Sequence, residues 1–228
     1  MIMEEGVPMN KSVYSLVLSD ELVEAVDREA YRAGMSRSAF INKVLAEAVS
    51  YVTPEQRMND IFTAVEQLMD GGIFRIMPRP SDTAFAMRSA LQYKYKPVIR
   101  YGIELYRSLD STIGKLKVSL RTQSEALIAD FTRFIGLWSA LEKMYIIDHF
   151  PEGISYTVEK GRFTRTFSLP PDKHRLSDNE IASALSEYIK MFDEILKLYF
   201  ANADDERKAK EVVMRRYKAY FTEGMPII

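Results

Sequence analysis

Two stretches of the chain carry groups that could bind an anion. The first is Ser36-Arg37-Ser38, which reads as the opening turn of a helix. The first backbone N–H groups of a helix have no partner inside it, so such a turn is a natural seat for a phosphate. The second is residues 73–121. There Arg75, Arg79, Arg88, Lys94, Lys96, Arg100, Arg107, Lys115, Lys117 and Arg121 face only Asp82, Glu104 and Asp110, with Tyr93, Tyr95, Tyr101 and Tyr106 interleaved. Basic residues spaced by aromatics suit a nucleic-acid surface or a pocket for an anionic effector, and Lys94, Lys96, Arg100, Lys117 and Arg121 are its candidate residues. The same alternation of Lys and Arg also describes an ordinary solvated sheet face.

Catalytic and metal chemistry is poorly supplied. His149 and His174 are the only histidines, without an i,i+4 partner or HExxH spacing, and there is no cysteine. No glycine-rich phosphate loop, GxSxG or carboxylate pair is present. The expectation is a protein that is not an enzyme and holds no cofactor or metal.

The elements that position these residues follow from periodicity and capping. Leu16 and Leu18 alternate with Ser15 and Val17, as in a strand with one buried face. Ser19 then caps a helix with Asp20 and Glu21 in its first turn and Leu22, Val26, Ala30 and Ala33 at helical spacing; Gly34 ends it. Ser36 caps a second helix whose apolar face is Phe40, Ile41, Val44, Leu45, Ala48 and Val49. About 40 residues cannot bury enough surface to fold alone, so a two-fold dimer sharing one core is expected.

This strand, helix, glycine and Ser-Arg-Ser-opened helix over residues 11–50 resembles the ribbon-helix-helix (CopG/Arc/MetJ-like) family of DNA-binding proteins. The resemblance implies an intertwined homodimer whose paired strands enter the DNA major groove. Lys11, Val13, Ser15 and Val17 would then face bases, and Ser36, Arg37 and Ser38 would hold phosphate. Tyr14, Leu16, Leu18, Leu22, Val26, Ile41, Val44 and Leu45 would form the dimer core. Where the family usually carries polar residues, Val13 and Val17 offer only apolar contact, which predicts weak or A/T-leaning discrimination. The module is also net acidic, so affinity would depend on local basic patches.

The chain thus divides into a flexible arm (1–10), the DNA-binding and dimerisation module (11–52), a connector helix opened by Thr53-Pro54 (53–72) and a second domain (73–228). In the second domain, strand-like alternation is expected near 73–77, 97–107, 115–121, 154–159 and 162–169, the last two joined by a Lys160-Gly161 hairpin. Helices are expected at 82–91 after Ser81, from the Thr122-Gln123-Ser124-Glu125 box, from Ser177-Asp178-Asn179-Glu180, and over 204–221. The fold class is therefore α+β, an antiparallel sheet packed by long helices, with a hint of two hairpin–helix halves. A net charge of −1, 47% hydrophobic composition, an acidic N-terminus and no apolar run of membrane length point to a cytoplasmic protein that does not enter a membrane. The functional expectation is a dimeric transcriptional regulator that binds double-stranded DNA, with a second domain for sensing a small-molecule effector or for higher assembly. The alternative is a module used only for dimerisation, with the second domain binding a protein partner or an anionic small molecule.

Overall fold

A computed structural model describes residues 15–91, 97–107, 109, 111–171 and 176–228. Two compact units divide at Thr53 and Pro54. The first is a helical pair, α1 (Asp20–Arg32) and α2 (Arg37–Ala48). Ser19 and Ser36 cap them, their hydroxyls accepting from the Leu22 and Ala39 N–H groups at 3.4 and 3.3 Å. Between the helices, Gly34 takes φ +64°, Gly34 N–H donates to Tyr31 O, and Met35 N–H donates to Ala30 O. This is the paired-bond helix stop that the glycine predicts.

The second unit is an antiparallel α+β sandwich of two layers. Its strands are β1 (Arg75–Ile76), β2 (Ala84–Ala90), β3 (Val98–Leu105), β4 (Thr112–Arg121), β5 (Tyr156–Glu159) and β6 (Arg162–Ser168), ordered β1-β2-β3-β4-β6-β5 in one sheet. Its helices are α3 (Pro54–Met69), α4 (Glu125–Tyr145), α5 (Asp178–Ala201) and α6 (Glu206–Thr222). Ile99, Tyr101 and Ile103 of β3, Leu116 and Val118 of β4, and Phe163 and Phe167 of β6 are buried on one face of the sheet. Phe192 at the middle of α5 joins the layers, stacking on Phe163 at 5.8 Å and meeting Tyr101 and Trp138 edge-on at 6.2 and 4.7 Å. Each such fully buried side chain contributes roughly 1.5–3 kcal/mol through removal from water.

Four expectations are corrected. Residues 54–69 are not a connector, because Met58, Ile61, Phe62, Val65 and Met69 are buried and the helix packs on α5. Arg57 at its start pairs with Asp178 at the start of α5, at 2.5 Å. Residues 82–91 form no helix; Ala84–Ala90 is a full strand paired along β3. Alanine and methionine favour helix weakly, and a sheet edge open to pairing overrides that preference. The described residues form one sheet and no pair of equivalent halves: four strands run in sequence, and the β5–β6 hairpin then adds beside β4. Thr122 also does not cap α4; Ser124 does, its hydroxyl accepting from Leu127 N–H.

The expected turn and capping box elsewhere are present. Lys160-Gly161 closes the β5–β6 hairpin with Gly161 at φ +67°. Ser177 and Glu180 exchange both bonds of the capping box. At the entry to β4, Gly114 lies where a Cβ would come 2.2 Å from Glu104 O, so the strands approach there only with glycine.

Candidate nucleic-acid interface

In the first unit, Ala30 is the one buried residue among those described. Val26, Phe40 and Ile41 are half-buried. Leu16, Leu18, Leu22, Val44 and Leu45 remain exposed, Leu16 at 64%. The single chain therefore presents most of the residues assigned to a dimer core as an open apolar surface. Residues 15–19 form no ladder with any other described residue, and Ser15 and Val17 are exposed. A strand exists only through hydrogen bonds to a neighbour, so this segment needs a pairing partner to become one. Lys11, Val13 and Tyr14 lie outside the described residues.

At the start of α2, Ser36 is the cap and Ser38 is exposed. Arg37 is not free. Its Nε and Nη2 fork onto the Asp27 carboxylate at 2.6 and 2.5 Å. The hydrogen bond from Arg37 holds the Asp27 carboxyl below its usual value. This fork ties α2 to α1, so an anion at this helix start would meet backbone N–H and serine hydroxyls first.

In the second unit the basic residues of 73–121 separate into two groups. Arg79 lies over the Phe62 ring at 5.8 Å and bonds Asn59 and Thr63, and Arg107 faces Glu55 at 3.5 Å. Lys115 and Lys117 converge on Glu104 at 3.4 and 2.6 Å. The bond from Lys117 leads the causes that keep the Glu104 carboxyl below its ordinary value. Lys117 is thus neutralised locally, against the expectation of a free cation.

Arg75, Arg88, Arg100 and Arg121 behave differently. None has a carboxylate partner among the described residues. Strand register sets Arg75 opposite Arg88, Arg88 opposite Arg100, Arg100 opposite Ser119 and Ser119 opposite Arg162. One transverse row of arginines therefore crosses the sheet on the face turned away from the helices. The next row on that face is Ala86, Gly102, Lys117 and Thr164. The small side chains there open a trough of about 570 Å³. A second hollow of about 520 Å³ continues it past Arg100, Ser119 and Arg162 to Arg121 and Lys160. Lys94 and Lys96 lie outside the described residues, as do Tyr93 and Tyr95. The expected aromatic interleaving does not reach this face at Tyr101, which points into the core.

No family model, curated protein or solved structure matches this chain.

Beneath the sheet lies a polar cluster that the sequence reading missed. Arg165 and Glu142 are fully buried and paired at 2.9 Å. Tyr188 donates to Glu142 Oε1 at 2.9 Å and accepts from Trp138 Nε1 at 3.0 Å. The guanidinium lies over the Tyr188 ring at 4.7 Å. Arg165 Nη2 and the hydroxyls of Tyr156 and Tyr217 have no hydrogen-bond partner among the described residues. Burial and then the Glu142 charge push the Tyr156 and Tyr217 hydroxyls up. The signal was present: in Phe163-Thr164-Arg165-Thr166-Phe167, the alternation places Arg165 on the same inward face as two phenylalanines. A second buried carboxylate, Asp193, is fully occupied. It accepts from Ser89, from Tyr101 at 2.8 Å and from Lys197 at 2.6 Å. Among the described residues, no group of His, Asp and Glu is placed to hold a metal, and no helix is long and apolar enough to cross a membrane.

Proposed function

We propose that this chain is a dimeric DNA-binding regulator in which the N-terminal units of two copies share one core. The observation that supports this reading is the burial deficit of the first unit. Two well-capped helices enclose only Ala30, while Leu16, Leu18, Leu22, Val44 and Leu45 stand in water. An exposed set of this size on so short a unit calls for a covering surface, and a second copy supplies a matching one by two-fold symmetry. Pairing Ser15–Leu18 with the same segment of the second copy satisfies its backbone and turns Leu16 and Leu18 inward. Ser15 and Val17 then face outward together as a ribbon suited to the major groove. Phosphate would rest on the start of α2, through Ser36, Ser38 and the backbone, with Arg37 positioning α2 against α1.

The test is Leu16→Asp, because the two readings give opposite results at this position. In a monomer Leu16 is exposed and the change is neutral. In the shared core it places a charge in each half of an apolar interface, at a cost of several kcal/mol per dimer. Sedimentation velocity should show the wild-type dimer replaced by monomer. Selection of genomic fragments should return a repeated or palindromic site for the wild type and none for the variant. A dimer that survives Leu16→Asp removes the ribbon from the interface.

A further inference from the structure

We propose that the open face of the six-stranded sheet is a second DNA contact, reading the phosphate backbone of a duplex through Arg75, Arg88, Arg100 and Arg162. The argument begins with an unfavourable arrangement. Like charges directly opposite across strands destabilise a sheet, yet Arg75, Arg88 and Arg100 sit opposite one another in consecutive pairs. Glu104, the acid in mid-sheet on this face, is committed to Lys115 and Lys117. Glu159 meets Arg162 only at 3.9 Å between two exposed side chains. Among the described residues, the row therefore carries positive charge that a carboxylate offsets only at Arg162.

Its geometry suits an extended anion. From β1 to β6 the row crosses four inter-strand steps, about 19 Å at the usual strand spacing. Over that length duplex DNA offers roughly ten phosphates. Ala84, Ala86 and Gly102 lower the floor beside the row, and Thr157 and Thr164 supply hydroxyl donors at the β5–β6 side of the trough. The trough gives a rounded, ridged ligand more contact than a flat bilayer would have. The strand aromatics Phe85, Tyr101, Phe163 and Phe167 are buried, and Tyr106 at the edge of the face lies under Lys115 at 5.8 Å, so among the described residues the arginine row itself has no aromatic beside it on which single-stranded bases could stack. What remains is backbone contact, which fixes position without reading sequence.

This surface is independent of the ribbon, and the test keeps the two apart. The full chain carrying Arg88→Gln and Arg100→Gln is titrated into a labelled 30-base-pair duplex and into a single strand of equal length, across a salt series. Each lost phosphate contact removes about 0.9 from the slope of log affinity against log salt, so the double variant should lose nearly 2. At 0.1 M salt that corresponds to roughly a 50-fold weaker complex. The sedimentation pattern should stay that of the wild type. The melting temperature should hold or rise, since the substitutions relieve repulsion between opposed strands. An unchanged slope and affinity would overturn the proposal, as would tighter binding of the single strand than of the duplex. If Leu16→Asp leaves the dimer intact while the arginine pair still weakens DNA binding, the sheet contact stands and the ribbon reading falls.

Discussion

The buried pair between Glu142 and Arg165 gives the most direct test of how the second unit holds together. Both side chains have no exposure, and the contact is 2.9 Å with Tyr188 and Trp138 completing one side of it. Glu142→Gln keeps the shape and an acceptor for Tyr188 but leaves the guanidinium buried without a counter-charge. Breaking a pair in this way costs roughly 3–5 kcal/mol. For a unit of this size each kcal/mol lowers the melting temperature by about 2–4 °C, so a fall of roughly 10 °C or more is expected. Arg165→Met should cost a similar amount at neutral pH. It leaves an isolated buried carboxylate without its counter-charge. The double variant Glu142→Leu with Arg165→Met removes both charges, and its stability should return to near that of the wild type. Urea unfolding followed by the fluorescence of Trp138, the single tryptophan, reads the cluster directly. Protein concentration must be fixed throughout, because the proposed dimerisation would add its own stabilisation. A loss below about 1 kcal/mol for Glu142→Gln would refute the reasoning, since it would mean that water already solvates a pair taken here as dry.

Two further outcomes follow from the sheet. Gly114→Ala drives a Cβ to within 2.2 Å of the Glu104 carbonyl oxygen, which is backbone and cannot turn aside; β3 and β4 should separate locally, with a loss of several kcal/mol in urea unfolding and faster amide exchange at Tyr106, whose N–H donates to Ile113 O. Glu104 has its pKa depressed by Lys117 and Lys115, so its contribution is present above the ordinary carboxylate value of about 4.3 and is lost as pH falls through the lowered folded value; Glu104→Gln should flatten that part of the pH–melting curve and, by releasing two lysines on the arginine-bearing face, strengthen duplex binding.

The sequence by itself determined what is local. Ser19, Ser36 and Gly34 fix the ends of two helices through short-range bonds, Ser177 and Glu180 close a capping box, and Gly161 sets a hairpin turn. None of these depends on a distant residue. The α+β class followed for the same reason, because periods of two and of 3.6 are written in the chain. Residues 82–91 read as a helix because Ala-Phe-Ala-Met has no decisive period, and only pairing with β3 makes Ala84–Ala90 a strand. The helix at 54–69 looked like a connector until packing on α5 placed it in the core. The surface was least legible of all. Composition showed many cations between 73 and 121, but register decided which of them face one another. It set Arg88 against Arg100 across consecutive strands, brought in Arg162 from beyond that stretch, and spent Lys117 on Glu104. Charge is a property of residues, whereas an uncompensated field is a property of their arrangement. Only the tertiary structure could decide it.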